Sequence, residues 1–151
     1  MGMQKLEALR SERNPKSVLI IEDNQDHIEL IKRAIKLHPL DVKIYHATDG
    51  EDALDFLFKK GKYLSKRNIP VPDLILLDIK LPKIDGYNVL KKIKSHQEFK
   101  AIPVIVLTTS AREEDINRMY KHGACSYLVK PSQYLEFVAI HEKIKDVLKT
   151  G

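Results

Sequence analysis

The chain has 151 residues, of which 43% are hydrophobic, and a formal net charge of +5. This length suits one domain with a proper core, and no apolar stretch approaches the roughly 20 residues of a membrane span. Lysine is spread along the chain rather than massed in one block, so the charge does not favour direct nucleic-acid binding. Cys125 is the only cysteine, which excludes an intramolecular disulfide and suits a reducing, cytoplasmic location.

The first fifteen residues are mostly charged, with Met3, Leu6 and Leu9 at helical spacing. This pattern is typical either of one short helix packed on the body or of a frayed leader, and the sequence leaves both interpretations open. We therefore predict an N-terminal extension over 1–15 and a folded domain that begins at residue 16.

Short apolar runs and amphipathic stretches alternate five times along the rest of the chain. The predicted strands are 18–21, 42–47, 74–77, 104–107 and 127–129. The predicted helices are 25–37, 51–58, 87–94, 113–121 and 134–148. This alternation predicts a doubly wound α/β fold, in which a five-stranded parallel sheet is flanked by five helices.

The connection 59–72, before the third strand, is longer than the usual helix-to-strand loop. It contains five basic residues and no acid: Lys59, Lys60, Lys62, Lys66 and Arg67. We expect it to lie at the edge of the sheet opposite the strand ends. Three interpretations stay open. The connection is a recognition element for an acidic surface, a segment folded on the second helix, or a tolerated insertion, because loop length costs little stability.

Polar side chains end four of the predicted strands: Glu22 and Asp23, Asp78, Thr108, and Lys130. The carboxyl ends of parallel strands meet at one edge, where ligands bind in open α/β sheets. Clustered carboxylates repel one another, and a divalent cation such as Mg²⁺ relieves that repulsion. Since a lysine and a hydroxyl lie beside them, the group suits phosphoryl transfer, with a carboxylate as the acceptor.

These residues stand in motifs that resemble the receiver domains of two-component response regulators. The matching stretches are VLIIED at 18–23, DLILLD at 73–78 with Leu81-Pro82 and Asp85-Gly86, PVIVLT at 103–108, and Gly123-Ala124 followed by YLVKP at 127–131. They cover 17–148 in the right order. The resemblance implies strand order 2-1-3-4-5, a receiver domain over 16–149 and no output domain.

The resemblance also implies a role for each strand-end residue. The implied catalytic residues are Asp78 as phospho-acceptor, Thr108 and Lys130. The implied ligands of Mg²⁺ are Glu22, Asp23, Asp78 and the backbone carbonyl of Lys80. Thr108 and Tyr127 would form the switch that follows phosphorylation.

A protein of this kind is expected to be a signalling protein rather than an enzyme, limited to its own phosphorylation and autodephosphorylation. Its phosphoryl donor would be a sensor histidine kinase in a phosphorelay. The long connection and the LTTS stretch at 107–110 resemble stand-alone regulators that partner phytochrome-type kinases. We expect phosphorylation to alter the face of the fourth helix, fifth strand and fifth helix, for partner binding or homodimerisation, with no direct nucleic-acid or membrane contact.

Other functions fit the sequence less well. A dinucleotide enzyme needs a glycine-rich turn after the first strand, where Glu22 to Gln25 stand. Haloacid-type phosphatases need an acid two residues after the nucleophile, where Lys80 stands. The alternative that remains is an unphosphorylated adaptor with a receiver fold, although such a module has no need of every catalytic group. We interpret His27 as facing solvent and Cys125 as a thiol near the core.

Overall fold

The computed structural model describes residues 15–65, 68–109 and 112–150. The strands are β1 Lys16–Ile21, β2 Val42–Ala47, β3 Leu74–Asp78, β4 Val104–Thr108 and β5 Ser126–Val129. The helices are α1 Gln25–Ile35, α2 Gly50–Phe58, α3 Gly86–Ser95, α4 Glu113–Lys121 and α5 Tyr134–Thr150, with a 3₁₀ turn at Gly61–Tyr63. Except for Pro15, the predicted N-terminal extension lies outside the described residues.

The five strands form one parallel sheet in the order β2-β1-β3-β4-β5, as predicted. In the central strand, Ile75 and Leu77 pack with α2 and α3 on one face, and Leu74 and Leu76 pack with α1 and α5 on the other. All four side chains are fully buried. A strand covered on both faces needs apolar residues without alternation, which is why LILL reads as a continuous run.

Helix α1 is shorter than predicted, and the first turn of α5 lies outside the core. Helix α1 ends at Ile35, and Leu37 lies beyond it, because the Lys36 N–H already closes the last turn on the Lys32 carbonyl. Helix α5 turns Ile140, Ile144 and Leu148 into the core, whereas Leu135 is 77% exposed. The buried apolar stripe of α5 therefore begins one turn after the start of the helix.

The connection 59–72 does not lie wholly at the far edge of the sheet. Lys59 and Gly61 both have φ of 54°, in the left-handed region, and turn the chain back along α2. Tyr63 is buried, packs edge-on against Phe56, and donates a hydrogen bond of 2.7 Å to Asp52 Oδ1 in the first turn of α2. The start of the connection is therefore folded on α2, as one of the interpretations predicted. It also reaches the strand-end side of the sheet, contrary to the expected position at the opposite edge.

The Asp52 carboxylate joins this turn to the loop after β2. The carboxylate also accepts a hydrogen bond from the Thr48 N–H, and its Oδ1 lies 3.2 Å from Lys62 Nζ. Burial by itself would raise the pKa of Asp52, but these donors, led by the Tyr63 hydroxyl, hold it below its usual value. Burial and the Asp52 carboxylate together raise the pKa of Tyr63, so the phenol keeps its proton and remains a donor.

None of the helices in the described part of the chain is long and apolar enough to cross a membrane.

Candidate functional site

The ends of β1 and β3, which are neighbours in the sheet, bring three acidic side chains together. Glu22 is fully buried, Asp78 is buried and Asp23 is exposed. One carboxylate oxygen from each lies within 4.8 Å of the other two. The three side chains are close because β1 and β3 are paired in parallel. Ile21 lies opposite Leu77, so the segments that follow these two strands leave the sheet side by side.

Lys130, which follows β5, inserts its ammonium between two of these carboxylates. Nζ lies 3.0 Å from Asp78 Oδ2 and 2.9 Å from Glu22 Oε2, and the side chain is 12% exposed. Burial lowers the pKa of Lys130, but its contacts with Glu22 and Asp78 outweigh burial and raise the pKa above the ordinary value. The lysine is therefore a fixed positive charge at neutral pH.

One lysine does not neutralise this pocket. Burial raises the pKa of Glu22, the hydrogen bond and charge of Lys130 offset this only in part, and the charge of Asp78 raises it further. Glu22 Oε2 faces the Lys130 ammonium, while Oε1 accepts a hydrogen bond from the Asn24 N–H at 3.2 Å. Three clustered carboxylates that share a single lysine fit a divalent cation with oxygen ligands.

The loop after β3 holds the remaining Asp78 oxygen. The Lys80 N–H donates to Asp78 Oδ1 at 3.0 Å. Asp85 caps α3 by accepting from the Asn88 N–H, and the Gly86 N–H returns to the Ile79 carbonyl at 3.0 Å. The Asp78 carboxylate is thus fixed at both oxygens, by a main-chain donor and by a lysine.

Thr108 and Tyr127 lie on the neighbouring strands. Thr108 ends β4 and is 2% exposed, and the Lys130 N–H donates to its carbonyl at 3.1 Å. Tyr127 is half-buried, and its ring meets Tyr120 of α4 edge-on at 6.3 Å between centroids. The two predicted switch residues therefore lie on adjacent strands, and Tyr127 contacts α4.

Comparison with known proteins assigns this arrangement to a family. The family described as "Response regulator receiver domain" matches residues 18–142. The chain belongs to this receiver domain family. The resemblance found in the sequence motifs, and the fold that it implied, are confirmed.

Several relatives of this receiver domain match over most of their length. It is 38% identical over 146 residues to the "Probable methanogenesis regulatory protein FilR2" of Methanothrix harundinacea, covering 96% of this chain and 90% of the relative. It is 40% identical over 116 residues to the "Response regulator Rcp1" of Synechocystis, covering 77% of each chain.

Solved structures agree with these matches. A phosphorylated cyanobacterial phytochrome response regulator, RcpA, superposes with a TM-score of 0.81 at 35% identity, covering 91% of this receiver domain and 97% of that chain. The Mn²⁺-bound form of Rcp1 superposes with a TM-score of 0.79 at 36% identity, covering 91% and 97%. The similarity to regulators of the phytochrome group, noted in the sequence, is therefore confirmed.

Two side chains lie where the sequence interpretation did not place them. His27 is not simply solvent-facing, since its Nδ1 lies 3.1 Å from Lys130 Nζ and 3.3 Å from Glu22 Oε1. Its backbone N–H is bound by the cap Asn24, so it stands in the first turn of α1, beside the end of β1. The position of His27, three residues after the cap Asn24, was the sequence signal that could have placed it beside the end of β1. Cys125 is exposed rather than near the core.

The raised pKa of Glu22 predicts how the metal-free protein responds to pH. A carboxyl whose pKa is higher in the folded than in the unfolded chain favours folding when it is protonated. Its contribution to stability is therefore lost as the pH rises from the pKa of the unfolded chain through that of the folded chain. We expect Glu22→Gln, which stays neutral, to be more stable than the parent at pH 7 in EDTA. The difference should vanish towards pH 4.

Denaturant unfolding of both proteins at several pH values measures this difference. Glu29→Gln, at an exposed carboxylate on α1, is the control and should change stability little. A Glu22→Gln variant that is less stable than the parent at pH 7 without metal would contradict the expectation.

Proposed function

We propose that this receiver domain, spanning 16–149, accepts a phosphoryl group on Asp78 from a sensor histidine kinase and acts as a signalling protein rather than an enzyme. The observation that carries the proposal is the Asp78 carboxylate itself. It is held at a strand end between Lys130 and the Lys80 N–H, within 4.8 Å of two further acidic groups. Two relatives support the kinase class, since both are named as response regulators and one as a phytochrome response regulator.

The residues present fit a divalent metal, and we propose Mg²⁺. Glu22, Asp23, Asp78 and the backbone carbonyl of Lys80 would hold it. When bound, the ion supplies positive charge for the oxygens of the phosphoryl group. The Mn²⁺-bound form of Rcp1 supports a divalent ion in this group of proteins.

The proposed chemistry is a displacement at phosphorus. An oxygen of the Asp78 carboxylate forms a bond to phosphorus as the bond between phosphorus and the donor breaks, and with acetyl phosphate as donor the leaving group is acetate. No proton needs to move in this step. Lys130 contributes a fixed charge beside the attacking carboxylate. Thr108 follows Leu107, the residue paired with Asp78 on the adjacent strand, and its hydroxyl is proposed to bond a phosphoryl oxygen afterwards.

The proposed output is a change in the surface of α4, β5 and α5. A groove of ≈ 630 Å³ lies there and is lined in part by Tyr120, Tyr127 and Leu135. Tyr120, Val129, Tyr134 and Leu135 are exposed, which is unusual for large apolar side chains and typical of a contact surface. We propose that Thr108 and Tyr127 change position on phosphorylation and that this surface then binds a partner or a second copy in the cytoplasm.

Incubation with acetyl phosphate and Mg²⁺, followed by intact-mass measurement, tests the acceptor assignment. We expect the added mass of one phosphoryl group, its loss in EDTA, and none in Asp78→Asn. Asp73→Asn at the start of the same strand segment is the matched control and should still be phosphorylated. Phosphorylation that persists in Asp78→Asn would show that the acceptor is elsewhere.

A further inference from the structure

The surroundings of the Lys130 ammonium contain one group that the proposed chemistry does not use. An ammonium has three N–H donors. Two contacts of Nζ are the carboxylates, Asp78 Oδ2 at 3.0 Å and Glu22 Oε2 at 2.9 Å. The third is His27 Nδ1 at 3.1 Å, which belongs to a different element, α1. Three groups from three elements thus surround one cation.

The direction of the histidine contact follows from the charges. A lysine ammonium has only N–H donors, so Nζ is the donor in this contact and His27 Nδ1 must offer its lone pair. With Nδ1 as acceptor, its 3.3 Å approach to Glu22 Oε1 is a meeting of two acceptors rather than a hydrogen bond. The ammonium therefore holds the imidazole and the carboxylate together.

The histidine lies on the outer side of the lysine. Its side chain is 38% exposed, whereas that of Lys130 is 12% exposed. The backbone N–H of His27 is fixed by the cap of α1, so the ring projects from a rigid turn. A lysine stem is long and flexible, and a third contact reduces the positions that its ammonium can take.

We propose that His27 is a positioning residue for phosphoryl transfer, acting through Lys130; this rests on the proposed function. By accepting the third N–H, Nδ1 keeps the ammonium beside Asp78, where its positive charge acts on the incoming phosphoryl group. A charge placed in advance lowers the barrier more than one that must first be ordered. His27 touches neither the donor nor the acceptor carboxylate in this role.

Two variants separate hydrogen bonding from bulk. His27→Leu keeps an apolar side chain of similar size and removes the acceptor. His27→Asn places an amide oxygen close to the former position of Nδ1 and restores it. Both keep the backbone N–H that Asn24 binds, so α1 retains its N-terminal cap.

The first measurement is the rate of phosphorylation by acetyl phosphate with Mg²⁺ at one fixed pH. We expect the rate at saturating donor to fall about fivefold in His27→Leu, the factor that one net hydrogen bond supplies, and to return to within about twofold in His27→Asn. The half-saturating donor concentration should not change, because His27 does not bind the donor.

The second measurement needs neither metal nor donor. In EDTA, the ¹⁵Nζ–H signal of Lys130 should exchange with water faster in His27→Leu than in the parent, and at the parent's rate in His27→Asn. Equal exchange in all three proteins would overturn the contact. If the parent is phosphorylated and His27→Leu reacts at the same rate, the positioning role alone is overturned. An asparagine variant that reacts as slowly as the leucine variant would also overturn the positioning role.

The two proposals fail in different ways. If the parent and both variants gain no phosphoryl group, the proposed function is wrong, and the positioning role is overturned with it. If the parent is phosphorylated on Asp78 and the leucine variant reacts equally fast, only the inference about His27 is wrong.

Discussion

Replacing Asp23 with alanine is expected to weaken Mg²⁺ binding by roughly ten- to a hundredfold, and to slow phosphorylation of Asp78 at limiting Mg²⁺ accordingly. Asp23 is the exposed member of the acidic group, so its carboxylate can meet the ion without further loss of water. Glu22 lacks that freedom, because it is buried and already lies against Lys130. Without Asp23, a lysine and a divalent ion would share two carboxylates.

The size of this effect follows from charge and exposure. Two unit charges 4 Å apart interact by about 4 kcal/mol at the effective dielectric constant of a protein surface, and the ion carries two charges. Water replaces part of that attraction at an exposed position, which leaves the smaller expected change. The expected effect of removing one ligand charge is still large compared with that of an ordinary surface substitution.

Calorimetric titration with Mg²⁺ measures the affinity directly. Asp26→Ala is the matched control, since it removes the same charge from an exposed position in the first turn of α1. We expect Asp26→Ala to bind Mg²⁺ nearly as the parent does. An Asp23→Ala protein with the parent's affinity would show that Asp23 is not a ligand.

The second large effect is expected from Gly86→Ala, which should destabilise the protein by about 2–3 kcal/mol. Gly86 begins α3 directly behind the end of β3. A Cβ there would stand 2.5 Å from Ile79 Cα and 2.7 Å from the carbonyl oxygens of Asp78 and Ile79. These are backbone atoms, so no change of rotamer can relieve the contact.

Helix propensity by itself predicts that Gly86→Ala would stabilise the protein, so the sign of the measured stability change distinguishes the two expectations. Alanine is more favourable than glycine in a helix by about 1 kcal/mol, so Gly86→Ala without a clash would stabilise α3. Because relief requires movement of the Asp78–Ile79 peptide, we also expect slower phosphorylation by acetyl phosphate.

Urea unfolding compares Gly86→Ala with Lys91→Ala, an exposed position on the same helix that should change stability by less than about 0.5 kcal/mol. A Gly86→Ala protein at least as stable as the parent would contradict the close approach of α3 to the end of β3.

The sequence by itself determined the alternation of strands and helices and the residues at the strand ends. Apolar runs such as LILL depend only on being covered on both faces, and β3 is covered on both. The strand-end group follows from one rule, that parallel strands end at the same edge, and it needs no knowledge of side-chain positions. The strand order came instead from the resemblance of the motifs to a known family, since alternation leaves several orders open.

Only the tertiary structure decided which side chains meet across elements. His27 reaches Lys130, which is 103 residues away in the chain, because the fold brings the first turn of α1 beside the end of β5. Tyr63 reaches Asp52 because two residues with positive φ reverse the connection after α2. Leu135 is apolar, yet it is exposed, because the buried stripe of α5 begins one turn later. These contacts depend on the relative placement of elements, which local periodicity does not record.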